Sequence, residues 1–225
     1  MNKFLELNNI SKTFETNKNI KVIKNLSYNF KKGKIYSLMG PSGSGKSTLL
    51  NLISLIDKPS NGLIKFNKHQ INYDDKEQND HLRAKKIGIV YQQNNLLPDF
   101  TSLENIYLAS LSINNNKNLA ISKAKQLLKK IGLSNRADHY PSQLSGGEAQ
   151  RIAIARAIIN DPEIILADEP TGSLDMKTAK VIFNLLKDQK RSDRLIIFAT
   201  HNRFFGNKAD CLLEILNGKI KSSNG

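Results

Sequence analysis

The chain has 225 residues and 39% hydrophobic side chains, enough to bury the core of one domain, or of one domain carrying a subdomain. Its mean hydropathy is −0.41, and no apolar stretch approaches the roughly 20 residues that span a bilayer, so a membrane-embedded chain is excluded. The start of the chain lacks a charged-then-apolar leader because Glu6 and the asparagines interrupt it, and Cys211 is the one cysteine; both point to a reducing, cytoplasmic residence without disulfides.

The formal charge is +14 and the isoelectric point about 9.8. Lysine and asparagine are spread along the chain, as in the run Asn114 to Asn118, rather than gathered on one face. A specific nucleic-acid site is therefore not expected, although the charge would modestly favour a surface next to anionic lipids.

In chain order, strands are expected over Phe4–Leu7, Ile20–Phe30 and Lys34–Met39. The third runs into a glycine-rich loop, after which Leu49, Leu52, Ile53 and Ile56 space a helix over Ser47–Ile56. A turn at Pro59–Gly62 leads to a hairpin region over Leu63–Ile71, centred on Asn67 and Lys68. A short basic helix precedes a strand at Ile87–Tyr91. Helices then dominate, at Leu103–Leu111 and at Leu119–Ile131, the latter ended by Gly132. A Ser145-Gly146-Gly147 turn opens a helix over Glu148–Ile159. Apolar strands at Ile164–Ala167 and Leu195–Thr200 flank a helix at Thr178–Asp188, a pattern of a buried, mostly parallel sheet. Leu212–Leu216 and Lys219–Ile220 flank Asn217-Gly218, a strong hairpin signal; Cys211, next to Leu212 and Leu213, reads as core.

The segment Gly40-Pro41-Ser42-Gly43-Ser44-Gly45-Lys46-Ser47-Thr48 is a phosphate loop, G-x-x-x-x-G-K-[ST], between a strand and a helix. Glycines let the backbone wrap so that successive N–H groups meet phosphate oxygens, and the helix N-terminus adds its dipole. Lys46 is expected to reach the β- and γ-phosphates of ATP, and the Ser47 hydroxyl to hold Mg²⁺. Chance would yield the pattern in roughly one chain of this size in a hundred. The strand Ile164–Ala167 delivers Asp168 and Glu169 to its C-terminal edge, where doubly wound sheets place ligands. Asp168 is assigned to Mg²⁺ and Glu169 to polarising the attacking water.

Leu144-Ser145-Gly146-Gly147-Glu148-Ala149-Gln150-Arg151 resembles the signature of ATP-binding cassette (ABC) proteins, while reading physically as a helix N-cap by Ser145 as well. The resemblance implies that Ser145, Gly146, Gly147 and Glu148 form a second anion site for the ATP of a second copy. It also covers Gln92, as the glutamine touching Mg²⁺ and the attacking water; His201, as the γ-phosphate contact; and Asp175, in the Pro170–Asp175 loop that communicates across the dimer. Phe14 matches the adenine-stacking aromatic, where Tyr is commoner. Ala149 stands where Arg or Gln is frequent, and Asn202 where Asp is frequent.

The implied fold is α/β: a P-loop NTPase core with an antiparallel β subdomain and a helical subdomain, as one ABC ATPase domain over 1–225 with the helical part inserted at about 93–158. Within the family, Tyr91 to Asn105, with Leu96-Leu97-Pro98-Asp99-Phe100-Thr101, resembles the lipoprotein-releasing ATPases. The resemblance implies a homodimer at the cytoplasmic face of the inner membrane, docked near 92–105 to integral membrane subunits. Macrolide-type exporters and cell-division complexes are the nearest alternatives. DNA-acting members are disfavoured because only about a hundred residues separate phosphate loop and signature, too few for their long coiled coil. Ribosome-acting members carry two cassettes, and a small-molecule P-loop kinase would leave the signature unexplained.

Overall fold

In a computed structural model that describes residues 3–15, 19–113 and 115–223, the elements in chain order begin with β1 (Leu5–Phe14), β2 (Ile20–Phe30), β3 (Ile35–Met39), α1 (Lys46–Ile53), β4 (Asn61–Phe66), β5 (His69–Gln70), α2 (Lys76–Lys86) and β6 (Ile87–Val90). There follow α3 (Ser102–Leu111), α4 (Lys117–Lys130), α5 (Gly146–Ile158), β7 (Ile164–Asp168), α6 (Met176–Lys187), β8 (Leu195–Ala199), α7 (Arg203–Gly206), β9 (Cys211–Leu216) and β10 (Lys219–Ser223). Two compact units result: one runs to Asp80 and resumes at Lys190, and the other is His81–Gln189. Residues 1, 2 and 114, which entered the expectations above, lie outside the described residues.

The first unit holds an antiparallel sheet in the order β2-β1-β4-β5. β1 is longer than its apolar start implied. It continues past Leu7 because Ile10 and Ser11 stay buried, and the Ser11 hydroxyl donates to Asn25 Oδ1 (2.9 Å) while accepting from Asn25 N–H (2.9 Å). That exchange satisfies polar groups inside the sheet, so the sequence there need not look apolar. In the same unit β3 lies parallel to both β8 and β9, pairing Ile35 with Ile196 and Tyr36 with Cys211. All five residues of β3 and of β8 are buried, as a two-faced parallel strand requires. β10 returns antiparallel on β9 through Asn217 and Gly218, at φ 51° and 76°, the left-handed pair of a tight hairpin turn.

Two expectations in this unit need correction. α1 stops at Ile53, because Leu55, just past the C-cap Ser54, is left-handed at φ 62° and cannot continue the helix; Ile56 is left 48% exposed instead of lining it. Cys211 is half-buried rather than core; it is the first residue of β9, paired with Tyr36.

In the second unit β6 and β7 pair in parallel, Ile87 opposite Ile164. Helices α3, α4 and α5 share a core of Ile106, Ala120, Ala124, Leu128, Ile152 and Ala155. Each of α3, α4, α5 and α6 starts one or two residues before its first expected residue. The start is set by a capping side chain: Thr101 for α3, Asn116 for α4, Ser145 for α5 and Asp175 for α6. The cap decides where helical dihedrals begin, whatever the character of the residues that follow it. Leu119, taken as the start of α4, is 42% exposed, and Gly146 and Gly147 open α5 instead of forming a turn before it.

Candidate functional site: a phosphate loop and a capped signature helix

The phosphate loop leaves the buried end of β3. Gly40 has φ 147°, and a Cβ there would stand 2.3 Å from the Ile215 carbonyl oxygen, so β9 forbids any side chain at this position. At Gly43, φ 75°, an added Cβ would meet nothing within 4 Å; its face of the loop is open to a ligand. Gly45 caps α1 with no side-chain hydrogen bond, and the first turn of α1 carries no acidic residue. Its leading N–H groups are therefore available to an anion. Lys46 is buried and folds back, its Nζ donating to the carbonyls of Gly40 (2.8 Å) and Pro41 (3.0 Å). Ser44 is buried with a hydroxyl that has no partner among the described residues, while Ser47 is exposed on the first turn. A group with many acceptor oxygens, such as a polyphosphate, fits this donor set.

In the same unit, His201 follows β8 and lines a recess of about 490 Å³ together with Gly40, Pro41, Arg203 and Glu214. Asn202 anchors the segment: its N–H donates to the Thr200 hydroxyl (3.1 Å) and its Oδ1 accepts from Phe204 N–H (2.9 Å). The departure from Asp at this position thus leaves the N-cap of α7 intact. Phe14, at the end of β1, is 40% exposed, with Lys12 Nζ 5.0 Å from its ring centroid.

In the second unit, β7 ends at Asp168, whose Oδ1 is buried with no hydrogen-bond partner among the described residues. Glu169 has φ 44°, a left-handed conformation that is costly for a residue with a Cβ and clusters at functional sites. The turn closes with Gly172 N–H donating to the Glu169 carbonyl (3.0 Å). Gln92 belongs to the same cluster: a Cβ on Gly172 would lie 3.2 Å from Gln92 Nε2. Among the described residues no three His, Cys, Asp or Glu side chains gather as a metal cage. One unsatisfied carboxylate oxygen suits Mg²⁺, which binds through one or two protein groups plus phosphates and water.

At the head of α5, Ser145 and Glu148 form a reciprocal capping box. Glu148 N–H donates to Ser145 Oγ (3.3 Å), and Glu148 Oε2 accepts from Ser145 N–H and Ser145 Oγ (both 2.9 Å). The other carboxylate oxygen, Oε1, accepts from Arg136 Nε at 2.9 Å. Arg136 first, and Ser145 after it, hold the Glu148 carboxyl down from 4.5 to about 2. A Cβ on Gly147 would come 2.4 Å from Thr178 Cγ2, so α5 and α6 meet where only glycine fits. Thr178 is in turn held by Asp175, which accepts from Thr178 N–H (3.0 Å) and from the Thr178 hydroxyl (2.5 Å). The signature and the Pro170–Asp175 loop are thus neighbours in space.

The comparisons with known proteins bear on the whole chain. The family model described as ABC transporter matches residues 23–172. The chain belongs to the ABC transporter family. It is 42% identical to the lipoprotein-releasing system ATP-binding protein LolD of Rickettsia bellii, covering 99% of each chain. Against LolD of Wigglesworthia glossinidia brevipalpis the identity is 43%, over 98% of this chain and 97% of the relative. Among solved structures, the ATP-binding cassette MJ0796, a dimer in a post-hydrolysis state bound to ADP and Pi, superposes with a TM-score of 0.90 at 37% identity, covering 98% of this chain and 99% of that one. The fold is the ABC nucleotide-binding domain. No helix among the described residues is long and apolar enough to cross a membrane.

Several residues of this ABC chain that shape the site have roles that a reading of motifs did not assign. Gln150 Nε2 donates to the Tyr91 carbonyl (3.0 Å), bracing the strand exit that presents Gln92. Arg156 donates to the carbonyls of Asn94 and Asn95, both at 2.7 Å. Asn105 Nδ2 reaches the carbonyls of Leu97 (3.0 Å), Phe100 (2.9 Å) and Thr101 (3.1 Å), while its Oδ1 accepts from Leu97 N–H (2.7 Å). Residues 92–101 are irregular but held by these bonds before α3 begins, with Leu97 and Phe100 still 45% and 38% exposed. Asn105 closes the segment Tyr91 to Asn105, but its role in satisfying the loop backbone was not readable from that position. The role of Arg136 was not readable either.

Proposed function

We propose that this chain is the ATP-binding and ATP-hydrolysing subunit of a membrane transporter that releases lipoproteins from the cytoplasmic membrane. The observation that carries this reading is the full-length likeness to lipoprotein-releasing ATP-binding proteins, at 42% identity over 99% of both chains. The open helix end behind Gly45, with Lys46 as its cation, supports the nucleotide role.

In this reading Gly40 to Thr48 bind the triphosphate, and Lys46 exchanges the Gly40 and Pro41 carbonyls for β- and γ-phosphate oxygens. Phe14 stacks on the adenine. Ser47, Gln92 and Asp168 would hold Mg²⁺, which would supply positive charge to offset that of the triphosphate. Glu169 orients and polarises the attacking water, and His201 contacts the γ-phosphate. Two copies close on two nucleotides, each held between the phosphate loop of one copy and Ser145–Glu148 of the other, with Asp175 relaying the state of one site to the other. Segment 92–105, held from behind by Asn105 and Arg156 and exposing Leu97 and Phe100, receives integral membrane subunits. Closure of the pair moves those subunits, and hydrolysis reopens it.

Glu169→Gln tests the sandwich. It should bind MgATP yet hydrolyse it roughly 10²–10⁴-fold more slowly, and sizing with MgATP should show a stable dimer; monomers alone at saturating MgATP would sink the reading. Co-purification of the tagged chain from its own membranes tests the transport role. Membrane proteins with bound lipoprotein are expected, and recovery of ribosomes or DNA factors without a membrane protein would overturn it.

A further inference from the structure

We propose that Arg136 is a positioning residue of the signature site: its guanidinium holds and offsets the Glu148 carboxylate so that the Ser145 end of α5 accepts a phosphate instead of repelling one. This rests on the reading of Ser145–Glu148 as the site for a nucleotide carried by a second copy.

The head of α5 carries a conflict of charge. A helix N-terminus attracts anions, but here the first turn already contains one, with Glu148 Oε2 2.9 Å from Ser145 Oγ. A phosphate approaching Ser145 would meet that carboxylate at close range, and like charges so near disfavour binding. The Ser145 hydroxyl is committed as well, since it donates to Glu148 Oε2 and accepts from Glu148 N–H. To donate to a phosphate it must leave the carboxylate.

Arg136 answers both difficulties. Its Nε donates to Glu148 Oε1 at 2.9 Å, which places a positive charge on the far side of the carboxylate and draws electron density away from Oε2, the oxygen that competes for the Ser145 proton. Arg136 is itself preorganised. Its carbonyl accepts from His139 N–H (3.1 Å), its N–H donates to the Leu133 carbonyl (2.9 Å), and the His139 carbonyl is fixed by Ser102 N–H (2.8 Å) and the Ser102 hydroxyl (3.0 Å) at the head of α3. The guanidinium thus stands on a turn tied to a helix end rather than on a free loop. Both partners remain partly accessible, the Arg136 side chain 36% and the Glu148 side chain 17% exposed, so the effect is graded and sensitive to salt.

The test is MgATP-driven dimerisation of the full chain carrying Glu169→Gln, followed by light scattering across an ATP titration. Arg136→Gln should raise the half-maximal ATP concentration about three- to tenfold, and the shift should shrink at high salt. Arg136→Lys, which keeps the charge without the planar fork, should recover part of it. The deciding variant is Arg136→Gln with Glu148→Gln. Glutamine retains an acceptor for the Ser145 backbone but removes the charge, so the double variant should dimerise at lower ATP than Arg136→Gln alone. An Arg136→Gln titration identical to that of the parent, or a double variant as impaired as the single one, overturns the inference. If the parent Glu169→Gln chain itself fails to dimerise, the underlying reading of the signature falls instead.

Discussion

Two helices of this chain begin where a phosphate is expected, and they are built in opposite ways. α1 starts behind Gly45 with no capping side chain and no acid in its first turn; its cation, Lys46, rests on loop carbonyls that it can exchange for a ligand. α5 starts behind Ser145 with a complete capping box, an acid in its first turn and an arginine held against that acid. The first end is left unsatisfied and depends on what binds it. The second satisfies itself, stands ready-folded, and gives up part of that satisfaction only when a ligand arrives. Such a difference suits a permanent nucleotide seat on one side and a conditional contact, made and broken in each cycle, on the other.

The comparison can be broken most forcefully at α1. Lys46→Ala should weaken MgATP binding about 100-fold or more, because the open helix end loses its charged phosphate ligand. Calorimetric titration showing unchanged affinity would mean that Gly40–Thr48 is not the seat. At α5 the expected effects are smaller and concern stability. Gly147→Ala sets a Cβ 2.4 Å from Thr178 Cγ2, and after the gain in helix propensity a net loss of about 1 kcal/mol remains. Because Asp175 fixes the Thr178 rotamer through its hydroxyl, Thr178→Ser should relieve the clash while keeping that bond. In that background the same glycine substitution should stabilise, and denaturant unfolding of the two pairs reads the change of sign.

The smallest effect is a pH dependence. The folded Glu148 carboxyl sits at about 2 against an ordinary 4.5. Being depressed, it contributes stability that is fully present above the ordinary value and is lost as the pH falls through 4.5 towards 2. The stability advantage of the parent over Glu148→Gln should therefore narrow across that window. A gap that stays constant down to about pH 2.5 would show that Glu148 acts by shape alone.

Much of the first site was legible because its chemistry is written in consecutive residues. The phosphate loop needs glycines, one lysine and one hydroxyl at fixed offsets between a strand and a helix, and all lie within Gly40–Thr48. The acids after β7 were legible for the same reason: an apolar strand must end, and Asp168 and Glu169 stand at its end. The left-handed turn at Glu169 and the approach of Gln92 to Gly172 were not legible, since they depend on what packs around the turn. Helix starts were displaced by one or two residues, most plainly at α5, where Gly146 and Gly147 follow the cap Ser145 and do not themselves look helical in the sequence. The length of β1 was underestimated because the Ser11–Asn25 exchange replaces apolar residues with paired polar ones.

By itself, then, the sequence indicated most of the elements, though not all their ends, and carried the glycine-rich loop, the acidic strand end and the capping motif of α5, because each rests on neighbours within a few positions along the chain. Tertiary structure alone decided which side chains support them. Arg136 meets Glu148 from 12 residues away, Gln150 reaches Tyr91 from 59, and Arg156 reaches Asn95 and Asn94 from 61 and 62. Such pairings follow from which surfaces bury each other when the helices pack, and no periodicity or local propensity encodes them.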